Sequence, residues 1–158
     1  SLAAALGLPY SFASHFAPTD LKRALEVYRT TFRPSERLAE PHVMLGYNVF
    51  AAESDAEAQL LFSSLQQAFV NLRSGRPGKL PPPVEGYEAS LDAGARGMIA
   101  QALSCAAVGS AQTVKARIDA FVAETGADEL MITSQIWDPS ARVRSIEILA
   151  GATGLAAG

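Results

Sequence analysis

A nearly continuous apolar run over residues 43–51 constrains the fold of this chain more than any other feature. Its sequence is VMLGYNVFA, and it is followed by a long helical pattern that Ser54 begins. Strands that are covered on both faces have this composition, and such strands occur almost only in parallel sheets flanked by helices. The run therefore predicts an α/β fold with a parallel sheet.

Two shorter strand patterns and several amphipathic helices accompany this run. The strand patterns lie at residues 10–14 and 128–134, and helical patterns cover residues 19–32, 54–74, 91–104, 110–126 and 138–150. Thr19 and Ser110 are expected N-caps, and Asp138 is an N-cap followed by Pro139 at the first helical position. Strands that alternate with helices indicate βαβ units. Three strands leave two open edges and a poorly covered face, so the pattern predicts part of a domain.

Composition excludes several functional classes. The chain has 158 residues, 49% of them hydrophobic, and a net charge of −3, which is typical of a globular domain and of a poor nucleic-acid binder. No apolar run approaches the roughly 18 residues of a membrane span. The single cysteine, Cys105, excludes an internal disulfide and favours a cytoplasmic location. Cys105 is either a nucleophile or a small buried apolar residue, and its apolar neighbours favour the second reading.

Candidate site residues follow the predicted strands at their carboxyl ends, where parallel α/β folds place their sites. His15 follows the first strand and could serve as an acid, a base or a donor to a ligand, or alternatively as a capping or packing residue. Gln135 and Trp137 follow the last strand, and Trp137 could also be a hydrophobic plug. Neither His15 nor His42 has a second ligand at metal-binding spacing, so no metal site is expected.

Five segments in order along the chain resemble the luciferase-like flavin monooxygenases, in particular their bacterial branch of oxidoreductases. They are LGLPYSFASHFAP at residues 6–18, QQAF at 66–69, LPPP at 80–83, VGS at 108–110 and TGADEL at 125–130. The first segment is quite specific, and the others gain weight from their order. The resemblance covers nearly the whole chain, from about residue 3 to residue 150.

The resemblance implies a (β/α)8 barrel about twice as long as this chain. Residues 1–158 are then a single partial domain, the C-terminal half of the barrel, with the three strands as its sixth, seventh and eighth. The Pro-rich stretch 76–92 is expected to be an insertion loop, and residues 151–158 a flexible tail. The family binds reduced flavin mononucleotide (FMN) and uses dioxygen to oxidise a small organic substrate. By match to the sixth-strand exit, the expected cofactor-facing residues are Ala13, Ser14 and His15.

Three further residues, Phe16, Gln135 and Trp137, are placed in the substrate pocket by position alone, and no catalytic residue can be assigned. The chain by itself is expected to be inactive and to bind flavin weakly or not at all. The open sheet edges predict self-association. The alternatives are a non-catalytic flavoprotein-like or structural subunit that pairs with a partner half, and an unrelated open α/β binding module.

Overall fold

A computed structural model describes residues 1–16 and 18–154 of the chain. The strands are β1 (Tyr10–Phe12), β2 (Val43–Ala51), β3 (Ala106–Gly109) and β4 (Glu129–Thr133). The helices are α1 (Leu2–Ala5), α2 (Leu21–Thr31), α3 (Asp55–Arg73), α4 (Tyr87–Ser90), α5 (Ala93–Ala102), α6 (Ala111–Thr125) and α7 (Pro139–Thr153). A 3₁₀ turn, Pro18–Asp20, precedes α2.

Strand β2 is the centre of a parallel sheet. It pairs with β4 through residues 44–48, with β1 through residues 43–45 and with β3 through residues 48–51. Because the β4 register overlaps both of the others, β1 and β3 must share the opposite edge of β2. The predicted parallel α/β sheet is therefore confirmed, with the three predicted strands as neighbours in the order β1, β2, β4.

The prediction of three strands is wrong by one, because the structure adds β3 between the predicted helices 91–104 and 110–126, where the sequence pattern assigned no element. β3 has only four small residues, AAVG, and follows α5 closely. It extends the sheet beside the carboxyl half of β2, where β1 has already ended. A segment this short carries too little periodicity to be separated from a helix end by pattern.

One face of the sheet is covered by helices. The odd-numbered residues of β2 are buried in a core with side chains of α2, α6 and α7, and the β2 members are Val43, Leu45, Tyr47, Val49 and Ala51. Side chains alternate along a strand, so the even-numbered residues point to the other face. Each large aliphatic side chain buried in this way contributes roughly 1.5–3 kcal/mol, which makes the helix-covered face the main source of stability.

The opposite face, which we call the open face, carries Ser11, Met44, Gly46, Asn48 and Met131. Ser11 is exposed and Met131 keeps 49% of its surface in solvent. Among the described residues, a second apolar cluster from α3 and α5 covers the carboxyl end of this face around Phe50, and the His15 ring covers Gly46. The sheet is thus buried on one side and partly uncovered on the other.

Several local predictions can be compared with the helix ends. Ser54 accepts a hydrogen bond from the Glu57 amide at 3.2 Å, and Asp138 accepts one from the Ala141 amide at 2.8 Å, so both predicted caps are confirmed. Thr19 is not a cap, because the 3₁₀ turn over Pro18–Asp20 moves the start of α2 to Leu21. Ser110 occupies the N-cap position of α6 without a side-chain capping bond.

The two segments that were expected to be irregular are partly helical. Within residues 76–92 the chain forms the single turn α4, and in the predicted tail 151–158 helix α7 continues to Thr153. Residues 155–158 of that tail lie outside the described residues.

Cys105 is buried, and burial raises the pKa of its thiol, which confirms the interpretation of this residue as a packed apolar side chain. None of the helices within residues 1–16 and 18–154 is long and apolar enough to cross a membrane.

A carboxylate joins the start of α3 to the start of α6. Asp55 accepts a hydrogen bond from the Ser110 amide at 2.7 Å, directly after β3. This bond, with a second from Thr113, lowers the pKa of Asp55 from its ordinary value of 3.8. The ionised form of Asp55 therefore stabilises the folded state.

Acid should weaken this connection. Because the folded-state pKa is lowered, the stabilisation is complete above the ordinary value of 3.8 and is lost as the pH falls through the lowered value. We expect the urea midpoint of the wild-type chain to fall more than that of Asp55→Asn between about pH 5 and pH 2. Equal losses in the two proteins would show that Asp55 does not contribute to acid sensitivity.

Candidate functional site

The carboxyl ends of β1, β2 and β4 meet at one edge of the open face. In parallel α/β folds the strand ends at this edge carry the functional residues, while the amino-terminal edge serves stability. The amino-terminal edge here is tied by Asp128, whose carboxylate accepts from the Val43 amide at 2.7 Å. The candidate site therefore lies at the carboxyl edge, where β1 leads into residues 13–16.

The exit of β1 is fastened to the middle of β2. Ser14 is completely buried, and its hydroxyl donates to the Gly46 carbonyl oxygen at 2.6 Å. Ala13 on one side is exposed, and His15 on the other is half-buried. Of the three residues predicted to face the cofactor, Ser14 uses its hydroxyl in a hydrogen bond within the protein, whereas Ala13 and His15 keep part of their surface accessible to solvent.

The imidazole of His15 lies directly against Gly46. A Cβ at position 46 would be 1.9 Å from Nδ1 and 2.7 Å from Cε1 of the ring, so only glycine leaves room for it. The Nδ1 atom is buried and has no hydrogen-bond partner among the described residues. A buried ring nitrogen without a partner is costly, by about 1–3 kcal/mol, and is usually seen where another function requires it.

A buried amide connects this exit to β4. Asn48 Nδ2 donates to the His15 carbonyl oxygen at 2.9 Å, and Asn48 Oδ1 accepts from Thr133 Oγ1 at 2.7 Å. Next along β4, Ser134 Oγ donates to the Val49 carbonyl oxygen at 2.9 Å. These bonds hold the ends of all three strands in one arrangement.

The three predicted substrate-pocket residues do not line a common cavity. Phe16 is 71% exposed and borders a cavity of about 550 Å³ together with Pro18, Thr19, Phe69, Leu72, Arg73 and Ala102. Gln135 and Trp137 do not line that cavity; both are exposed, and Trp137 keeps 51% of its surface in solvent. Trp137 is therefore not a buried plug within this chain, and the neighbouring Ile136 fills the apolar cluster instead.

Sequence reasoning missed Gly46, Asn48 and Thr133, although two signals were present. A glycine inside a strand marks a close approach of another group, and here the group is the His15 ring. An amide inside an apolar strand requires buried partners. Both signals lie within the run that predicted β2.

Perturbed pKa values occur both at this edge and away from it. Asp55, whose pKa is lowered, follows β2 closely and accepts from the Ser110 amide after β3. Burial, the largest cause, raises the pKa of Tyr47 to about 12 within the helix-covered core. Among the described residues, no group of three or more His, Cys, Asp or Glu side chains is placed to hold a metal ion. Within the described part of the chain, this edge therefore offers shape, hydrogen bonding, the imidazole of His15 and, next to β3, the carboxylate of Asp55 that is already bonded to the start of α6.

Known proteins resemble this chain both in sequence and in structure. The sequence profile of luciferase-like monooxygenase matches residues 1–129. A luciferase-like monooxygenase of Escherichia coli (strain K12) is 46% identical over 147 residues, which are 93% of this chain and 44% of that protein. The apo structure of MsnO8 is 28% identical with a TM-score of 0.78, and the match covers 99% of this chain and 48% of that chain.

A more distant structure shows the fold alone. The oxygenating constituent of 3,6-diketocamphane monooxygenase from Pseudomonas putida, in complex with FMN, is 20% identical with a TM-score of 0.55. That match covers 94% of this chain and 42% of the other. The chain spans about half the length of these proteins or less, so the sheet is part of a (β/α)8 barrel.

Enlarging Gly46 should expel the His15 ring. The backbone of β2 is held by its neighbouring strands, so the ring and not the strand must move when a methyl group is added. We expect Gly46→Ala to lower the free energy of unfolding by about 1–3 kcal/mol for this reason. Gly97→Ala is the matched control, because nothing lies within 4 Å of a Cβ there and alanine is favoured within α5. Urea unfolding measures both, and equal stability of the two variants would contradict the contact.

Proposed function

This chain belongs to the luciferase-like monooxygenase family, and from that membership we propose that it is the C-terminal half of an FMN-dependent monooxygenase barrel. The observation that carries the proposal is the one-sided burial of its sheet. Three parallel strands pack their outer face on helices, while the open face keeps Ser11 and Met131 in solvent. A closed barrel covers such a face with the side chains of its other strands.

The complete barrel would supply oxygenase chemistry that this half alone cannot. Reduced FMN, when bound there, would supply the two electrons and two protons for a reaction in which one atom of dioxygen enters an organic substrate and the other leaves as water. That chemistry needs a pocket closed to water. A four-stranded sheet whose outer strand edges are unpaired among the described residues cannot enclose one, so we propose that the chain alone is inactive and binds flavin weakly or not at all.

The carboxyl edge of the open face fits one wall of a flavin site. The exposed Ala13 offers a small surface, and the His15 ring rests in the space that Gly46 leaves. We assign Ala13 and His15 to contact with the cofactor. Ser14 supports this wall through its bond to the Gly46 carbonyl and through its backbone.

The substrate side of the pocket is proposed to involve Phe16, Gln135 and Trp137. Phe16 borders the cavity with Phe69 and Leu72, which suits an apolar part of a small organic substrate. The exposed Gln135 and Trp137 lie after β4, where the missing strands of the barrel would approach. Dioxygen and this substrate are the proposed partners, and the reducing environment indicated by the single Cys105 supports a cytoplasmic location.

A structural subunit that pairs with a partner half is the second candidate function. It is favoured by an apolar strip on α7, where Val143 and Ile146 are exposed beside a cavity of about 420 Å³. Both candidates require a partner that covers the open face. Only the first requires the assembled protein to retain FMN and oxidise a substrate.

Assembly with a second half should restore flavin binding. We expect the chain alone to be purified without FMN, and the chain co-expressed with the amino-terminal part of the E. coli relative, which this chain does not cover, to retain it. In that complex His15→Ala should weaken FMN binding roughly tenfold, the effect of losing about 1.4 kcal/mol. Lys115→Gln, a change on the exposed surface of α6, serves as the control.

Flavin fluorescence quenching measures these affinities. Retention of FMN by the chain alone would contradict the proposed need for a closed barrel. A complex that forms stably and oxidises nothing, without FMN, would favour the structural subunit.

The chain alone should also self-associate. Unpaired strand edges and exposed apolar side chains promote contact between copies, so light scattering should give a mass that rises with protein concentration. Val143→Lys and Ile146→Lys together should lower that mass by adding charge to the α7 strip. A mass that stays at the value of a monomer at every protein concentration would contradict the expectation that unpaired strand edges drive self-association.

A further inference from the structure

One side chain, Asn48, joins the segment that follows β1 to strand β4 at the carboxyl edge. Its Nδ2 donates to the His15 carbonyl oxygen at 2.9 Å, and its Oδ1 accepts from Thr133 Oγ1 at 2.7 Å. Only 1% of its surface is exposed. A buried amide without these partners would be strongly unfavourable. Each of the two bonds orients the amide for the other, and together they hold the segments that they join.

The ring of His15 is held without any hydrogen bond of its own among the described residues. It occupies the space above Gly46, and its Nδ1 is enclosed there without a partner. Its backbone is held from the other side by Asn48. Since Nδ1 meets no donor or acceptor, Nε2 is the ring nitrogen that remains to meet a ligand.

We propose that Asn48 is a positioning residue that acts through His15. The bond to Thr133 orients the Asn48 amide, the amide holds the His15 backbone, and Gly46 receives the ring. In this way the position of one imidazole in the segment after β1 depends on residues from β2 and β4 together. The positioning itself follows from the contacts within this chain, whereas its effect on flavin rests on the proposed function.

A purely structural role for Asn48 would have a different signature. In that case its loss would loosen the sheet in general, as the loss of any buried hydrogen bond does. Ser145 provides the matched control, because its buried hydroxyl on α7 accepts from the Ala51 amide of the same strand at 2.9 Å. Among the described residues, its hydroxyl is hydrogen-bonded to neither His15 nor Thr133.

The test is nuclear magnetic resonance of the two histidine imidazoles in the full 158-residue chain. His15→Gln identifies the His15 signal, and His42, at the opposite end of β2 and paired with Glu129, is an internal reference. We expect Asn48→Ala and Thr133→Val to shift or broaden the Cε1–Hε1 signal of His15 and to leave that of His42 in place. Thr133→Ser keeps a hydroxyl and should restore the signal.

The control decides between positioning and general loosening. Ser145→Ala should leave both histidine signals unchanged, even if it lowers stability. The proposal is overturned if His15 is unaffected in Asn48→Ala, or if Ser145→Ala moves it as far as Asn48→Ala does. If Asn48→Ala does not fold, the nearly isosteric Thr133→Val and its Thr133→Ser counterpart carry the test.

A second measurement separates this proposal from the proposed function. In the complex with an amino-terminal half, Asn48→Ala should weaken FMN binding roughly fivefold, the scale of one buried hydrogen bond, while Ser145→Ala should not. A displaced His15 signal with unchanged FMN affinity would support the positioning role and refute the placement of His15 in the flavin wall. An unmoved signal would refute the positioning role, whether or not FMN binds.

Discussion

The burial of β2 on its helix-covered face is the interaction on which the rest of this structure depends. The odd-numbered side chains of that strand form the centre of the main core, and its two edges carry all three other strands. The same strand turns Gly46 and Asn48 to the open face. Stability and the candidate site are therefore built on opposite sides of one nine-residue segment, and neither can be changed without a consequence for the other.

The open face shows that the sheet is incompletely buried, although its helix-covered face packs in a well-formed core. At its carboxyl edge Ser14 donates to the Gly46 carbonyl oxygen and Thr133 donates to Asn48, yet Met131 on the same face remains in solvent. An organised polar edge next to an uncovered apolar surface is expected where further strands complete a barrel around a ligand. This interpretation agrees with membership of the luciferase-like monooxygenase family, and with the fact that the chain matches only 44% of the length of its E. coli relative.

The sequence predicted the parallel sheet because the β2 run is long and apolar, and helix starts at Ser54 and Asp138 because their capping chemistry is local. It missed β3, whose four small residues carry no period, and the start of α2, which a 3₁₀ turn displaces. Position along the strands made His15 a candidate site residue, and its role stays a prediction. The contacts of its ring and backbone with Gly46 and Asn48, 31 and 33 residues further along the chain, depend on strand register, which the pattern did not specify.

Hydrogen exchange at the outer edge of β4 tests most directly whether this sheet is a section of a closed barrel. The account predicts that the β4 amides that point away from β2 exchange rapidly in a dilute solution of the isolated chain. The same amides should become strongly protected once an amino-terminal half is added. Amides of β2, already paired on both edges, should be protected in both states. Outer β4 amides that are protected in the isolated monomer, or that stay unprotected in a stable complex, would contradict it.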